Sequence, residues 1–290
     1  MSSEISYDPV TAIDENEAVG SIANIFEDIR DTMNIPLVTS IWRGLAGMEN
    51  SLDKVWNMAK PIYEQENSEG KLNEIINTIQ LSIPKPLTKT EMINSKLSKN
   101  DWKNILIVLK AYNRSNGMNM VVLHAMIKLN FPKISRDFKK NKTVNLSVIP
   151  ELLSKDDIDK KTWDLICDIN SISAPNGRNS HVATLWRHLA HWPKFLALIN
   201  KKLISLNNDG IIQSLLKNTS TQLNENGLNL NYKSSFEHDL SARVYSTIKD
   251  YVFEETQVIR MVVIGHIIQH WIKAQPRLEI FGLYQVERLN

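Results

Sequence analysis

Val38-Thr39-Ser40-Ile41-Trp42-Arg43-Gly44-Leu45-Ala46 and Val182-Ala183-Thr184-Leu185-Trp186-Arg187-His188-Leu189-Ala190 share Val, Trp, Arg, Leu and Ala at one offset, 144 residues (186 minus 42). A second match follows in the same order. Met120-Val121-Val122-Leu123 lines up with Met261-Val262-Val263-Ile264 at an offset of 141 (261 minus 120). Two matches at nearly one offset read as an internal repeat, and a repeat of this length implies two copies of one structural unit. Two such units in one chain pack about a pseudo-two-fold axis, as a homodimer would. Clefts between units are favoured places for a ligand. The expected division is residues 1–136 for the first unit, 137–150 for a crossover, and 151–290 for the second. The crossover falls in a polar, lysine-bearing stretch between Phe131 and Pro150.

The patterning around the repeat is helical. From Val19 to Met33 the apolar residues Val19, Ile22, Ala23, Ile25, Phe26, Ile29 and Met33 recur at three- and four-residue spacing. Pro36 reads as a first-turn proline restarting the chain in a helix that carries Leu37, Val38, Ile41, Trp42 and Leu45. Thr88-Lys89-Thr90-Glu91 is a capping box, in which hydroxyl and carboxylate satisfy free backbone donors reciprocally. Ser98 with Asp101, and Ser154 with Asp157, are weaker start signals ahead of Trp102 and Ile158. No run of period-two alternation bounded by turn residues is found, so the fold class is all-α, two tandem helical repeats forming a dimer-like single chain.

Composition narrows the function. The 290 residues are 42% hydrophobic and 23% charged, with a net charge of +2, which gives no footprint for nucleic acid. Lys139, Lys140 and Lys142 read as a solvated connection. The apolar stretch from Val258 to Ile272 is broken by Arg260, Gly265, His266, Gln269 and His270, so it reads as a buried helix and not a membrane span. The single cysteine, Cys167, lies among Leu165, Ile166 and Ile169 and is expected to be buried. No intramolecular disulfide, CxxC pair or cysteine zinc site can form, which fits a reducing, cytoplasmic setting. Met1-Ser2-Ser3-Glu4 has neither a basic nor an apolar leader region.

Several groups could carry chemistry. Tyr112-Asn113-Arg114-Ser115-Asn116-Gly117-Met118-Asn119 interrupts an apolar pattern and reads as a helix–helix corner turning at Asn116-Gly117. Its amides either cap helix ends or orient a water in the cleft, since an amide donates and accepts at once. Asn176 to Trp192 holds Arg178, His181, Thr184, Arg187, His188 and His191, a spacing that suits structural or surface histidines better than metal ligation. Arg43 and Arg187 are repeat partners, and a planar guanidinium fork suits a carboxylate as readily as a structural ion pair. His266 and His270 lack the glutamate of the zincin pattern, because Ile267 follows the first. Asp164 and Asp168 share a helix face and could supply a general base. Trp42 and Trp186 read as core anchors.

Ile25-Phe26-Glu27-Asp28-Ile29-Arg30-Asp31-Thr32-Met33-Asn34-Ile35-Pro36 resembles the N-terminal signature of the group I 2-haloacid dehalogenases. Ala111 to Asn116 resembles their helix-corner motif, and Leu189-Ala190-His191-Trp192-Pro193-Lys194 resembles their second-repeat motif. The resemblance implies an all-helical two-repeat fold with a buried site between the repeats, no cofactor and no metal. It implies hydrolysis of a small 2-halocarboxylic acid, in which an Asp activates the water that displaces halide and an Asn holds that water. Asn116 matches the Asn and Thr184 a neighbouring hydroxyl. Leu185 stands where the Asp is expected, and Leu37 and Ser40 stand at the aromatic positions of the halide side. Leucine takes no proton, so the resemblance leaves three readings. Glu254, Glu255, Asp164 or Asp168 substitutes as base, or the cleft binds a small carboxylate or apolar ligand without turning it over, or the same fold carries an unrelated chemistry. Glu254 and Glu255 precede Gln257, the repeat partner of Asn116 (257 minus 116 is again 141). Tyr112, Leu185 and Gln257 complete the expected cleft lining. The expected partner is a small carboxylic acid, with neither nucleic acid nor membrane, and a homodimer is left open.

Overall fold

The helical face that begins at Gly20 ends where its sequence says it should. α1 (Gly20–Met33) buries Phe26, Ile29 and Met33, and Asn34 closes it in the left-handed region (φ 52°, ψ 57°) with its N–H on the carbonyls of Arg30 and Asp31. The computed structural model describes residues 12–48, 50–64, 66–81, 85–128, 148–174, 181–228 and 240–273. After α1 come α2 (Ser40–Ala46), α3 (Ser51–Tyr63), α4 (Glu66–Leu81), α5 (Lys89–Asn94) and α6 (Lys99–Lys128). The second half supplies α7 (Lys160–Ser171), α8 (Thr184–Leu189), α9 (Pro193–Asn208), α10 (Ile211–Asn226), α11 (Ala242–Phe253) and α12 (Arg260–Lys273). The described residues contain no β-sheet, and no helix among them is long and apolar enough to cross a membrane. The expected crossover lies mostly at residues 129–147, outside the described residues, as do Arg178 and the chain beyond 273.

Local signals set several boundaries. Thr88 Oγ1 accepts from the Glu91 N–H while the Glu91 carboxylate takes the Thr88 N–H at 2.7 Å, so the capping box opens α5. Ser98 and Asp101 make the same reciprocal pair at the head of α6. Two starts fall elsewhere than the sequence suggests. Pro36 sits in a turn, and α2 begins only at Ser40, with Leu37 and Val38 buried in the connection. Ser154 and Asp157 close a turn, whereas the cap of α7 is Asp159, whose carboxylate accepts the Thr162 N–H at 3.0 Å.

The largest correction concerns α6. No corner forms at Asn116-Gly117, because α6 runs unbroken for 30 residues and is buried along most of its length. Asn and Ser break helices by bonding their own backbone. Here those side chains bond neighbouring helices instead. Asn113 Nδ2 donates to Gln269 Oε1 of α12 at 2.8 Å, and Asn119 bonds Thr39, Trp42 and Tyr63. Gly117 admits Leu72 of α4, whose Cδ1 would lie 2.6 Å from any Cβ there. The break in the helical path comes in the second half. Glu254 is extended, Glu255–Ile259 forms a π turn, and Gln257 is non-helical (φ −104°, ψ −114°).

α6 packs against α3, α4, α8, α11 and α12, so one hydrophobic cluster joins both halves of the chain. Trp42 and Trp186 lie within it, fully buried, as expected of anchors. Trp42 meets Trp56 edge to face at 5.3 Å. α12 approaches α6 tightly at Gly265, where an added Cβ would stand 2.1 Å from Asn113 Oδ1. Gly265→Ala is therefore expected to destabilise the fold by about 1–3 kcal/mol, the usual range for overpacking. A urea melt measures this, and an unchanged midpoint would mean the two helices separate freely there.

Candidate functional site

The matched Trp-Arg pairs bring α2 and α8 to one cavity of about 420 Å³. Its walls are the segment Asp14–Glu17, the turn Pro36–Val38, Arg43 of α2, Tyr112 of α6, residues 149–152 with Ser154, and Thr184, Arg187 and His188 of α8. Arg43, Tyr112, Thr184, Arg187 and His188 are all buried, so the inner wall presents guanidinium, hydroxyl and imidazole groups away from bulk water.

Each group is held by its own local structure. The Asn170 side chain of α7 clamps the approach to α8. Its Nδ2 donates to the His181 carbonyl at 3.0 Å and its Oδ1 accepts the Ala183 N–H at 3.1 Å. α8 thus starts at Thr184 with its side chain on the cavity. On the other side the Arg43 guanidinium donates from Nε to the Ile13 carbonyl at 3.1 Å and pairs through Nη2 with Asp14. The Glu15 carboxylate accepts the Val38 N–H at 2.7 Å and pairs with Arg30 at 2.8 Å, which fixes it beside the turn that carries Leu37.

Tyr112 and His188, 76 residues apart, meet at 2.5 Å between the phenolic oxygen and Nδ1. Burial, followed by the charges of Arg187 and His191, pulls His188 down to about 3 from an ordinary 6.5, so its ring is neutral above that. A hydrogen bond to the Pro150 backbone works in the opposite direction. Nδ1 and the Tyr112 hydroxyl share a hydrogen bond whose direction follows the tautomer of the ring. Burial pushes the Tyr112 hydroxyl far up, and a hydrogen bond with Thr184 works against that. Thr184, Tyr112 and His188 stand together on the inner wall of the cavity.

Leu37, Tyr112 and Thr184, which the sequence singles out, line this cavity, as do Arg43 and Arg187. Asn116 is buried in α6 but does not line it, and neither do Leu185 or Ser40. Glu254 is exposed, accepting from Gln257 Nε2 at 3.2 Å, and Glu255 is half-buried. Asp164 is exposed and pairs with Lys160 at 2.8 Å, and Asp168 is exposed. None of these four carboxylates, nor Gln257, reaches the cavity. Asp14, Glu15, Glu17 and Glu151 do. No periodic pattern marks the 14–17 segment, and only the fold brings it over α2. His191 Nε2 donates to the Glu151 carbonyl, 2.8 Å away, and His266 lies in the buried stretch of α12. Cys167 is half-buried and not enclosed, with burial pushing its thiol up. No three His, Cys, Asp or Glu side chains among the described residues are grouped to hold a metal ion.

The buried histidines make acid a denaturant. Burial also draws His124 down to about 4, against the opposing bond to Asn224. Between pH 6.5 and about 4 the unfolded chain binds protons at both positions and the folded chain does not. Stability is therefore full above pH 6.5 and falls as the pH drops, by about 1.4 kcal/mol per pH unit for each ring. Urea midpoints at pH 7, 6 and 5 should decline accordingly, and His188→Asn should halve the slope. A flat profile would show that neither ring is held neutral.

No family model and no curated protein matches the chain. Solved structures do. A D-2-haloacid dehalogenase mutant superposes with a TM-score of 0.66 at 13% identity, over 94% of this chain and 97% of that one. A D-2-haloacid dehalogenase mutant in complex with D-2-CPA gives 0.69 at 14% identity, over 93% and 97%. D-2-haloacid dehalogenase in complex with L-LA gives 0.69 at 14%, over 93% and 99%. The chain has a 2-haloacid dehalogenase-like fold, all-α and matched over nearly its whole length.

Proposed function

We propose that this chain, on its 2-haloacid dehalogenase-like fold, binds a small carboxylic acid in the cavity between α2, α6 and α8 and hydrolyses a 2-halocarboxylic acid there. The observation that carries the reading is the pair of buried guanidiniums, Arg43 and Arg187, on one wall with the Tyr112 and Thr184 hydroxyls. Charge-assisted bonds from such groups are strongest where water is excluded. The repeat reading supports it, because the two arginines are the matched residues of the two copies and they face one cavity. We read residues 1–136 and 151–290 as those copies.

The carboxylate best placed to activate water is Glu15, held by Val38 and Arg30 against the apolar side of the cavity. Water attacks the halogen-bearing carbon, halide leaves with the bonding pair, and the water proton passes to Glu15. The products are a 2-hydroxy acid and halide. One observation favours a second reading, binding without turnover. The inner carboxylates, Asp14 and Glu15, are already engaged by Arg43, Arg30 and the Val38 N–H.

The test is halide release from both enantiomers of 2-chloropropionate and 2-bromopropionate, against heat-killed protein, beside calorimetric binding of propionate. Under the hydrolase reading, release is seen and Glu15→Gln lowers it by roughly 10²–10⁴, the usual contribution of a positioned base. Propionate binding without release selects the second reading. Neither binding nor release removes the cavity as a carboxylate site.

A further inference from the structure

The charges of the cavity are sorted by depth. Arg43 and Arg187 are 2% and 1% exposed and belong to the floor, where His188 is uncharged. The carboxylates Asp14, Glu17 and Glu151 are exposed and stand at the rim, with Glu15 half-buried between. Asp14 and Glu15 are paired with Arg43 and Arg30. Glu17 and Glu151 have no side-chain ion pair among the described residues. The tail of a simple anion held at the guanidiniums gains nothing from these two carboxylates. A molecule with a carboxylate at one end and an ammonium at the other satisfies both zones at once.

From this depth-sorted arrangement, and resting on the proposed carboxylate site, we infer that the cavity takes an amino-carboxylic acid, its carboxylate on Arg43 and Arg187 and its ammonium at Glu17 and Glu151. The chemistry asked of the substrate is a small zwitterion in which the two charges are separated by a short chain. A volume of about 420 Å³ accommodates such a molecule with water to spare. Because Glu17 and Glu151 are exposed, their attraction is screened by salt, whereas the floor is shielded from it. Discrimination between zwitterion and plain anion is therefore expected to depend on ionic strength.

The experiment is titration calorimetry on the full chain at low salt with two matched ladders. One is glycine, 3-aminopropanoate, 4-aminobutanoate and 6-aminohexanoate, and the other is acetate, propanoate, butanoate and hexanoate. One amino acid of the first ladder should bind roughly tenfold tighter than its counterpart, two exposed pairs contributing at the upper end of their range. The preference should collapse in Glu17→Gln/Glu151→Gln and at about 1 M salt, where the screening length is ~3 Å. Both substituted residues are exposed, so the double variant should melt as the parent does. If plain acids bind as well as, or better than, every amino acid, the inference fails and the carboxylate site stands. If neither ladder binds, the carboxylate site fails and takes the inference with it. A preference that survives the double variant overturns the role of the rim.

Discussion

Asn119→Leu is expected to lower the free energy of unfolding by about 2–6 kcal/mol, although leucine fills nearly the same space. Asn119 is fully buried in α6 and its two amide atoms serve four partners. Oδ1 accepts from Trp42 Nε1 at 3.1 Å and from the Tyr63 hydroxyl at 2.8 Å. Nδ2 donates to Thr39 Oγ1 at 2.9 Å, with the Tyr251 hydroxyl at 3.4 Å. Those partners belong to α2 and its cap, to α3 and to α11, so one side chain of α6 joins three other helices. Leucine would leave the Trp42 N–H and the Tyr63 O–H buried without an acceptor, and each orphaned donor costs about 1–3 kcal/mol. Denaturant unfolding with a double-mutant cycle measures it. Trp42→Phe removes one of the two donors, so on the Asn119→Leu background it should be less harmful than on the parent. Strict additivity would show that no network exists, and a loss under 1 kcal/mol would show that water reaches the site.

Arg187→Gln is expected to weaken the binding of a small carboxylate roughly 10–150-fold. A hydrogen bond to a charged group is worth about 1.5–3 kcal/mol, and each 1.4 kcal/mol is tenfold. Arg187 is 1% exposed, so little water is available to replace the fork it presents. Arg187→Lys keeps the charge and loses the fork, and should fall between the two. The neutral analogue propanamide separates recognition from collapse of the wall. Its binding should change little in Arg187→Gln if the arginine reads charge, and should fall in parallel if the substitution merely deforms the cavity. Equal carboxylate binding by parent and variant would take Arg187 out of the site.

What the sequence made legible was local. The spacing in α1, the Thr88–Glu91 box, the Ser98–Asp101 pair and the burial of Trp42 and Trp186 all depend on neighbours within a turn or on hydrophobicity alone. The middle of α6 was misread because its polar residues look like a corner until their partners are known. Those partners lie 77 and 156 residues away for Asn119 with Trp42 and Asn113 with Gln269. The site divides in the same way. Arg43 and Arg187 were visible because they recur, and Thr184 and Leu37 through family resemblance. Glu15 has no such signal. His188 reads in sequence as one of a set of structural or surface histidines, and only the fold, by burying it, withdraws its charge.

The long central helix also has a consequence for synthesis. α6 is about 45 Å of backbone at 1.5 Å per residue, and nearly every side of it is meant to be covered. Most of that cover, α8, α11 and α12, is translated after it. Gln269, the partner of Asn113, follows by 156 residues. At 5–20 residues per second, that interval is roughly 10–30 s. Through it the nascent chain carries an apolar rod with amides along its length and no second half to receive it. An apolar helix left uncovered for that time is the kind of surface on which unfinished chains associate.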